Sequence, residues 1–173
     1  MRALIQPSLA GADDNRECRQ VRAKDARWCP NVTVAAVIER DGRFMLVEEE
    51  TDAGLRFNQP AGHLDDGESL IAAASREALE ETAHHFTPEW LVGIYQWPRP
   101  DGALTYLRFA FGGVLGDAVA GRALDTGIQR VVWMTPDELR ACVERHRSPL
   151  VMQCVDDWLA GCRHPLSLLR HYG

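Results

Sequence analysis

The stretch Gly62–His84, GHLDDGESLIAAASREALEETAH, decides how the rest of the chain is read. Its opening is rich in Gly and Asp and has no apolar period. From Ser69 onward it contains neither Gly nor Pro, and Ser69 stands where an N-cap hydroxyl accepts from first-turn amides. A helix is therefore predicted from Ser69 on. Along it, Glu77, Glu80 and Glu81 fall at i, i+3 and i+4, which places their Cβ atoms about 5–6 Å apart on one side. At an effective dielectric near 20 each like-charge pair costs about 3 kcal/mol, against a few tenths in open water. A solvated acidic face would avoid that cost, but the periodicity points inward. Leu70 and Ala74 lie seven and three residues before Glu77, so the carboxylates continue an apolar stripe instead of opposing one. Ala72-Ala73-Ala74 also lets the helix approach neighbouring backbone closely.

Carboxylates buried together need a cation. Oxygen-only ligands suit Mg²⁺, or Mn²⁺, with water and substrate phosphate completing the shell. Glu68 on the preceding loop and Arg76 on the helix are placed to form an ion pair that clamps loop to helix, and Arg76 also reaches Glu80 at i+4.

Working outward, NVTVAAVIER and RFMLVEEE read as strands joined at Asp41-Gly42, the dipeptide that supplies positive φ in a two-residue hairpin. Thr51–Gly54 reads as a second turn and FNQPAGHLDDGE as a Gly/Pro loop. WLVGIYQW and LTYLRFAFGGVL are predicted strands separated by PRPDG, and RVVWM is a short one. Thr135-Pro136-Asp137-Glu138 is a capping box with Pro at the first helical position, so a helix is expected to about His146. Ser148-Pro149 starts another, ended by Gly161. Strands, a helix, more strands and two C-terminal helices make a mixed α/β layered domain over residues 30–173. Residues 1–29 mix charges without apolar spacing and are expected to form a poorly ordered arm.

The chain has 173 residues, 19 Lys+Arg and 25 Asp+Glu, for a net charge of −6. One domain is expected from that length, and the acidic balance argues against nucleic-acid binding, which rests on Lys/Arg neutralising phosphates. It does not oppose small phosphate-bearing ligands when a divalent cation supplies positive charge. No apolar run approaches the roughly 20 residues of a membrane span. The five cysteines are scattered without a CxxC pair, as expected of reduced thiols in a cytoplasmic protein.

Gly62, Glu68, Arg76, Glu77, Glu80 and Glu81, at these spacings, resemble the Nudix box of the Nudix hydrolases. Ala83 stands where that pattern has glycine, and Ala78 and His84 where it has bulkier aliphatics. Beyond the box, NVTVAAVIE, FNQPAGHLDDGESL, YQWPRPDG, LRFAF, RSPLV and HPLSLL are similar to the small bacterial NudJ-type phosphatases. The resemblance implies an α/β/α sandwich around a mixed sheet. It also implies metal-dependent release of phosphate from nucleoside tri- and diphosphates and from hydroxymethylpyrimidine pyrophosphate. By position, Glu77, Glu80 and Glu81 would hold Mg²⁺ with the Ala61 carbonyl, and Glu77 or Glu81 would double as the base. Gly62, Glu68 and Arg76 would support the site.

Arg108, Trp97, Gln59, Arg99 and Gln96 lie on segments expected around the helix. Arg108, set in the apolar run LRFAF, needs a partner that a phosphate can supply; Trp97 offers a stacking face. Asp125 is a candidate extra carboxylate, and His63 is a candidate phosphate contact or a loop-ordering group. An ADP-ribose-type pyrophosphatase is the alternative, since Pro98 and Pro100 fall where that class carries a proline. A catalytically silent binding module is a further one. The expected assembly is a monomer or homodimer.

Overall fold

A computed structural model describes residues 28–172; nearly all of the expected arm lies outside the described residues. The chain enters through β1 (Asn31–Val37), crosses the short β2 (Glu39–Arg40) and returns as β3 (Arg43–Thr51). Asp41 and Gly42 take φ of 53° and 76°, the two positive values a twisted hairpin turn requires. The sequence FNQPAGH, expected as loop, instead contributes two strands, β4 (Gly54–Asn58) and β5 (Ala61–His63). The reason is lateral: β4 pairs with β3 and β5 with β1, so backbone groups that local sequence leaves unassigned find partners far along the chain.

Then come α1 (Leu70–Thr82), β6 (His84–Pro98), β7 (Thr105–Ala118) and β8 (Ile128–Met134). Last are α2 (Pro136–Arg140), α3 (Leu150–Leu159) and a two-residue β9 (His164–Pro165). One sheet runs β5-β1-β7-β6-β9; the other holds β2, β3 and β4, with β8 on the free side of β3. The β1–β7 pair is parallel and its neighbours are antiparallel, so the sheet is mixed, as expected.

Alternation along β1 sends Val34 and Ala36 to Ala73, Ala74 and Ala78 of α1. It sends Ala35 and Val37 to Val151, Cys154 and Val155 of α3. That is a helix–sheet–helix sandwich. Among the described residues no helix is long and apolar enough to cross a membrane.

Ser69 caps α1 by accepting from the Ala72 amide, and Ala83 ends it in the left-handed region at φ 57°. His84 and His85 therefore open β6. The Thr135–Glu138 capping box forms in full. The helix it starts stops at Arg140, not near His146. Beyond it the chain is drawn onto β4, where Arg145 stacks over Phe57 and the Arg147 amide donates to the Phe57 carbonyl.

Candidate active site

Burial follows the stripe read from the sequence. Glu77 and Glu81 are 8% and 9% exposed on the face of α1 that carries Ala73, Ala74 and Ala78, while Glu80 is half-buried at its edge. The neighbour that fits this face is the edge strand β5. The Ala61 amide donates to Glu81 Oε2 at 2.8 Å, so Ala61 contributes its N–H at this contact. At Gly62 a Cβ would lie 2.2 Å from the Glu77 carboxylate; only glycine lets the strand pass.

Arg76 organises the polar side. Its Nε and Nη2 fork Glu68 at 3.0 and 2.9 Å, and Nη2 also donates to the His63 carbonyl at 3.0 Å. Its Nη1 reaches Glu77 at 2.7 Å and Glu80 at 3.0 Å. The expected clamp of loop to helix is thus present, and it extends to two of the three acidic residues. The Arg76 hydrogen bonds hold the Glu68 carboxyl below its usual range.

Glu77 and Glu81 shift the other way. Burial raises both, Glu81 to about 8, because an ionised carboxylate loses its hydration there. Neighbouring charge adds to the shift: Asp125 raises both groups and Glu49 raises Glu81. The Asp125 amide donates to the Glu80 carbonyl at 3.0 Å, which anchors its loop beside the helix. The donor set is all hard oxygen and short of positive charge at Glu81, which suits a divalent cation of the Mg²⁺ type. Among the described residues no three acidic, His or Cys side chains are already gathered as a metal cage; Arg76 occupies the space between Glu77 and Glu80.

From Ala61 and Gly62 a cleft of about 570 Å³ opens between the two sheets. Arg108, Trp97, Arg99 and His63, candidates from the sequence, line it. Trp97 stacks on Tyr106 with centroids 5.8 Å apart and planes 17° off parallel. Gln59 is a correction. It is 2% exposed and its amide donates to the Val151 carbonyl at 2.7 Å, pinning α3 to the loop before β5, and it does not line the cleft. Gln96 is exposed and does not line the cleft. Sequence reasoning missed Glu49, Asn58, Arg56 and Arg147, which also line it. Glu49 lies in a run of three acids, and the pattern does not say which of them turns inward.

The NUDIX domain family model matches residues 27–154, and the chain belongs to the Nudix family, whose members are hydrolases acting on phosphoanhydrides. Among curated relatives it is 36% identical over 140 residues to Phosphatase NudJ of Escherichia coli K12, covering 81% of this chain and 90% of that one. A NUDIX hydrolase structure from Nitrosomonas europaea superposes with a TM-score of 0.81 at 54% identity, over 83% of this chain and 98% of the other. A bifunctional NMN adenylyltransferase/ADP ribose pyrophosphatase from Francisella tularensis shares the fold. It has a TM-score of 0.66 and 18% identity, and covers 80% of this chain and 44% of that one. The protein is therefore a NudJ-like Nudix hydrolase.

Proposed function

We propose that the enzyme releases orthophosphate from nucleoside tri- and diphosphates, with hydroxymethylpyrimidine pyrophosphate as a further substrate, by attack of water on phosphorus. The observation that carries this reading is Glu81: a carboxylate 9% exposed, with its pKa raised to about 8, facing the β5 backbone where the cleft begins. A group so placed binds a hard cation or holds a proton, and a phosphohydrolase needs both. Mg²⁺, with Mn²⁺ as a substitute, would be held by Glu77, Glu80, Glu81 and the Ala61 carbonyl; bound there it would neutralise charge developing on the phosphates. Glu77 or Glu81 takes the proton from the attacking water. Glu68 and Arg76 act on the acidic residues, not on substrate: the fork holds loop and helix together so that Gly62 stays against Glu77. Arg99 offers positive charge within the cleft, and Trp97 offers a stacking face.

Pro100 also lines the cleft, which favours a second reading, cleavage between phosphates to leave a nucleoside monophosphate. Orthophosphate release from nucleoside triphosphates without added phosphatase, and from ADP-ribose with and without it, separates the two. Direct release that depends on added Mg²⁺ or Mn²⁺ is expected. Phosphate seen only after the added phosphatase supports the second reading; none under either condition rejects catalysis.

A further inference from the structure

The inner end of the cleft carries a polar group that the phosphate chemistry does not use. Arg108 on β7 is 7% exposed. Burial pushes its acidity up, that is, its pKa down, and it forms no ion pair with a carboxylate among the described residues. Its guanidinium donates from Nη1 to Asn58 Oδ1 at 3.4 Å and also meets the Cys154 thiol, while its Nε is buried without a partner. Asn58, accepting with its oxygen, turns its amide toward the Glu49 carboxylate on the adjacent strand β3, where it eases the burial of that charge. Glu49 Oε1 also lacks a hydrogen-bond partner, with Arg147 Nε 3.7 Å away on its outer side. Thr33, opposite Arg108 across the β1–β7 pair, has a buried hydroxyl in the same condition.

A buried polar group without a partner costs about 1–3 kcal/mol, so a chain that leaves three side by side has a use for them. Two occupants are conceivable, a phosphate and a ring edge. A phosphate at Arg108 would also face Glu49, and like charges oppose that placement. A heterocycle edge presents an acceptor beside a donor and meets both. The flat wall it needs is nearby. Tyr106 and Trp97 each lie two residues from the row Arg108–Tyr95, and they pair with each other, so their stack stands on the same side of the sheet. Arg56 and Arg147 lie nearer solvent in the same cleft.

We propose that Arg108, Asn58 and Glu49 form the ring-recognition end of the cleft. There the guanidinium donates to an acceptor on the edge of a nucleobase or related nitrogen heterocycle, and Glu49 accepts from the neighbouring N–H. The ligand's phosphates then point toward Ala61 and the acidic helix. This assignment rests on the nucleotide reading above and adds the determinant that separates ring-bearing from ringless phosphates.

The test is binding, measured by calorimetry with Mg²⁺ present, of CMP and of ribose 5-phosphate. Wild type is expected to bind CMP on the order of a hundredfold more tightly, about 2.7 kcal/mol at 1.4 kcal/mol per decade. Arg108→Gln and Glu49→Gln should each cut that ratio about tenfold or more by weakening CMP alone. Equal weakening of both ligands would place a phosphate at Arg108 and overturn the proposal, as would a wild-type ratio near one. If Arg108→Gln does not fold, Glu49→Gln, at the less buried end of the cluster, decides alone. Failure of the phosphohydrolase reading shows separately, as absent phosphate release from CTP with the binding ratio intact.

Discussion

Two carboxylates in this molecule are equally hidden and oppositely treated. Glu48 on β3 is 5% exposed and Glu81 on α1 is 9% exposed. Glu48 receives Arg130 Nε at 2.6 Å on one oxygen and the Arg145 guanidinium on the other, and these contacts hold its carboxyl below the ordinary range. Glu81 receives one backbone N–H and faces other acids, and its pKa goes up to about 8. The fold pairs the first with two cations and gives the second no ion pair among the described residues. A buried charge whose partners come from the chain serves structure; one whose partner is withheld is, in the function proposed above, the group that meets a cation from solution.

That contrast can be broken most sharply at Glu81 itself. Glu81→Gln should lower turnover on a nucleoside triphosphate by roughly a thousandfold or more while the melting temperature holds or rises, because the change removes a buried ionisable group that no ion pair offsets. Near-normal steady-state turnover would put Glu81 with Glu48 as a structural group. Gly62→Ala comes next. The added methyl must displace the Glu77 carboxylate that Arg76 grips, and the expected loss is about a hundredfold in kcat, since misplacement on the scale of 1 Å has that effect.

The converse change, Glu48→Gln, should spare turnover and cost stability, roughly 2 kcal/mol by denaturant titration. Arg130 and Arg145 are 63% and 40% exposed, which keeps the cost below that of a fully buried pair.

The two carboxylates should also answer pH in opposite senses. Glu81 binds its proton more tightly folded than unfolded, so its contribution to stability is present below about pH 4.5 and is lost as pH rises through about 8. Glu48, with its carboxyl lowered, contributes above its unfolded value and loses that contribution in acid. Melting in EDTA should therefore decline from pH 6 to pH 9. Added Mg²⁺ should restore it most at pH 9, where Glu81 is ionised and able to bind. A Mg²⁺ shift of the same size at every pH would contradict the assignment.

The smallest effect is at the end of α1. Ala83 holds φ 57° and ψ 22°, a conformation that suits glycine. Ala83→Gly should stabilise the fold by about 1 kcal/mol in thermal melts and leave the Glu48 pairing as it is.

Much of this was readable locally. The Asp41-Gly42 turn, the Ser69 cap and the Thr135–Glu138 box each depend on residues within a few positions of one another, and each formed as expected. Glu68 and Arg76, one loop apart, met as their spacing suggested. The misreadings share one cause. FNQPAGH became two strands in different sheets, and the helix after Thr135 stopped at Arg140, because partners distant in sequence claimed them. Gln59, polar and beside the loop, went inside because Val151 offered its carbonyl.

What the sequence by itself determined is the acidic helix: three carboxylates continuing an apolar stripe, the arginine among them, and the glycine before them. Periodicity and charge spacing are properties of a single segment, so one segment suffices to read them. Only the tertiary structure decided which buried carboxylate would be neutralised and which left waiting, and that Arg108, Asn58 and Glu49, from three strands, would share one end of a cleft. Desolvation and pairing are set by what the rest of the chain brings within a few ångströms: Asn58 and Arg108 are 50 residues apart, and Glu48 and Arg130 are 82.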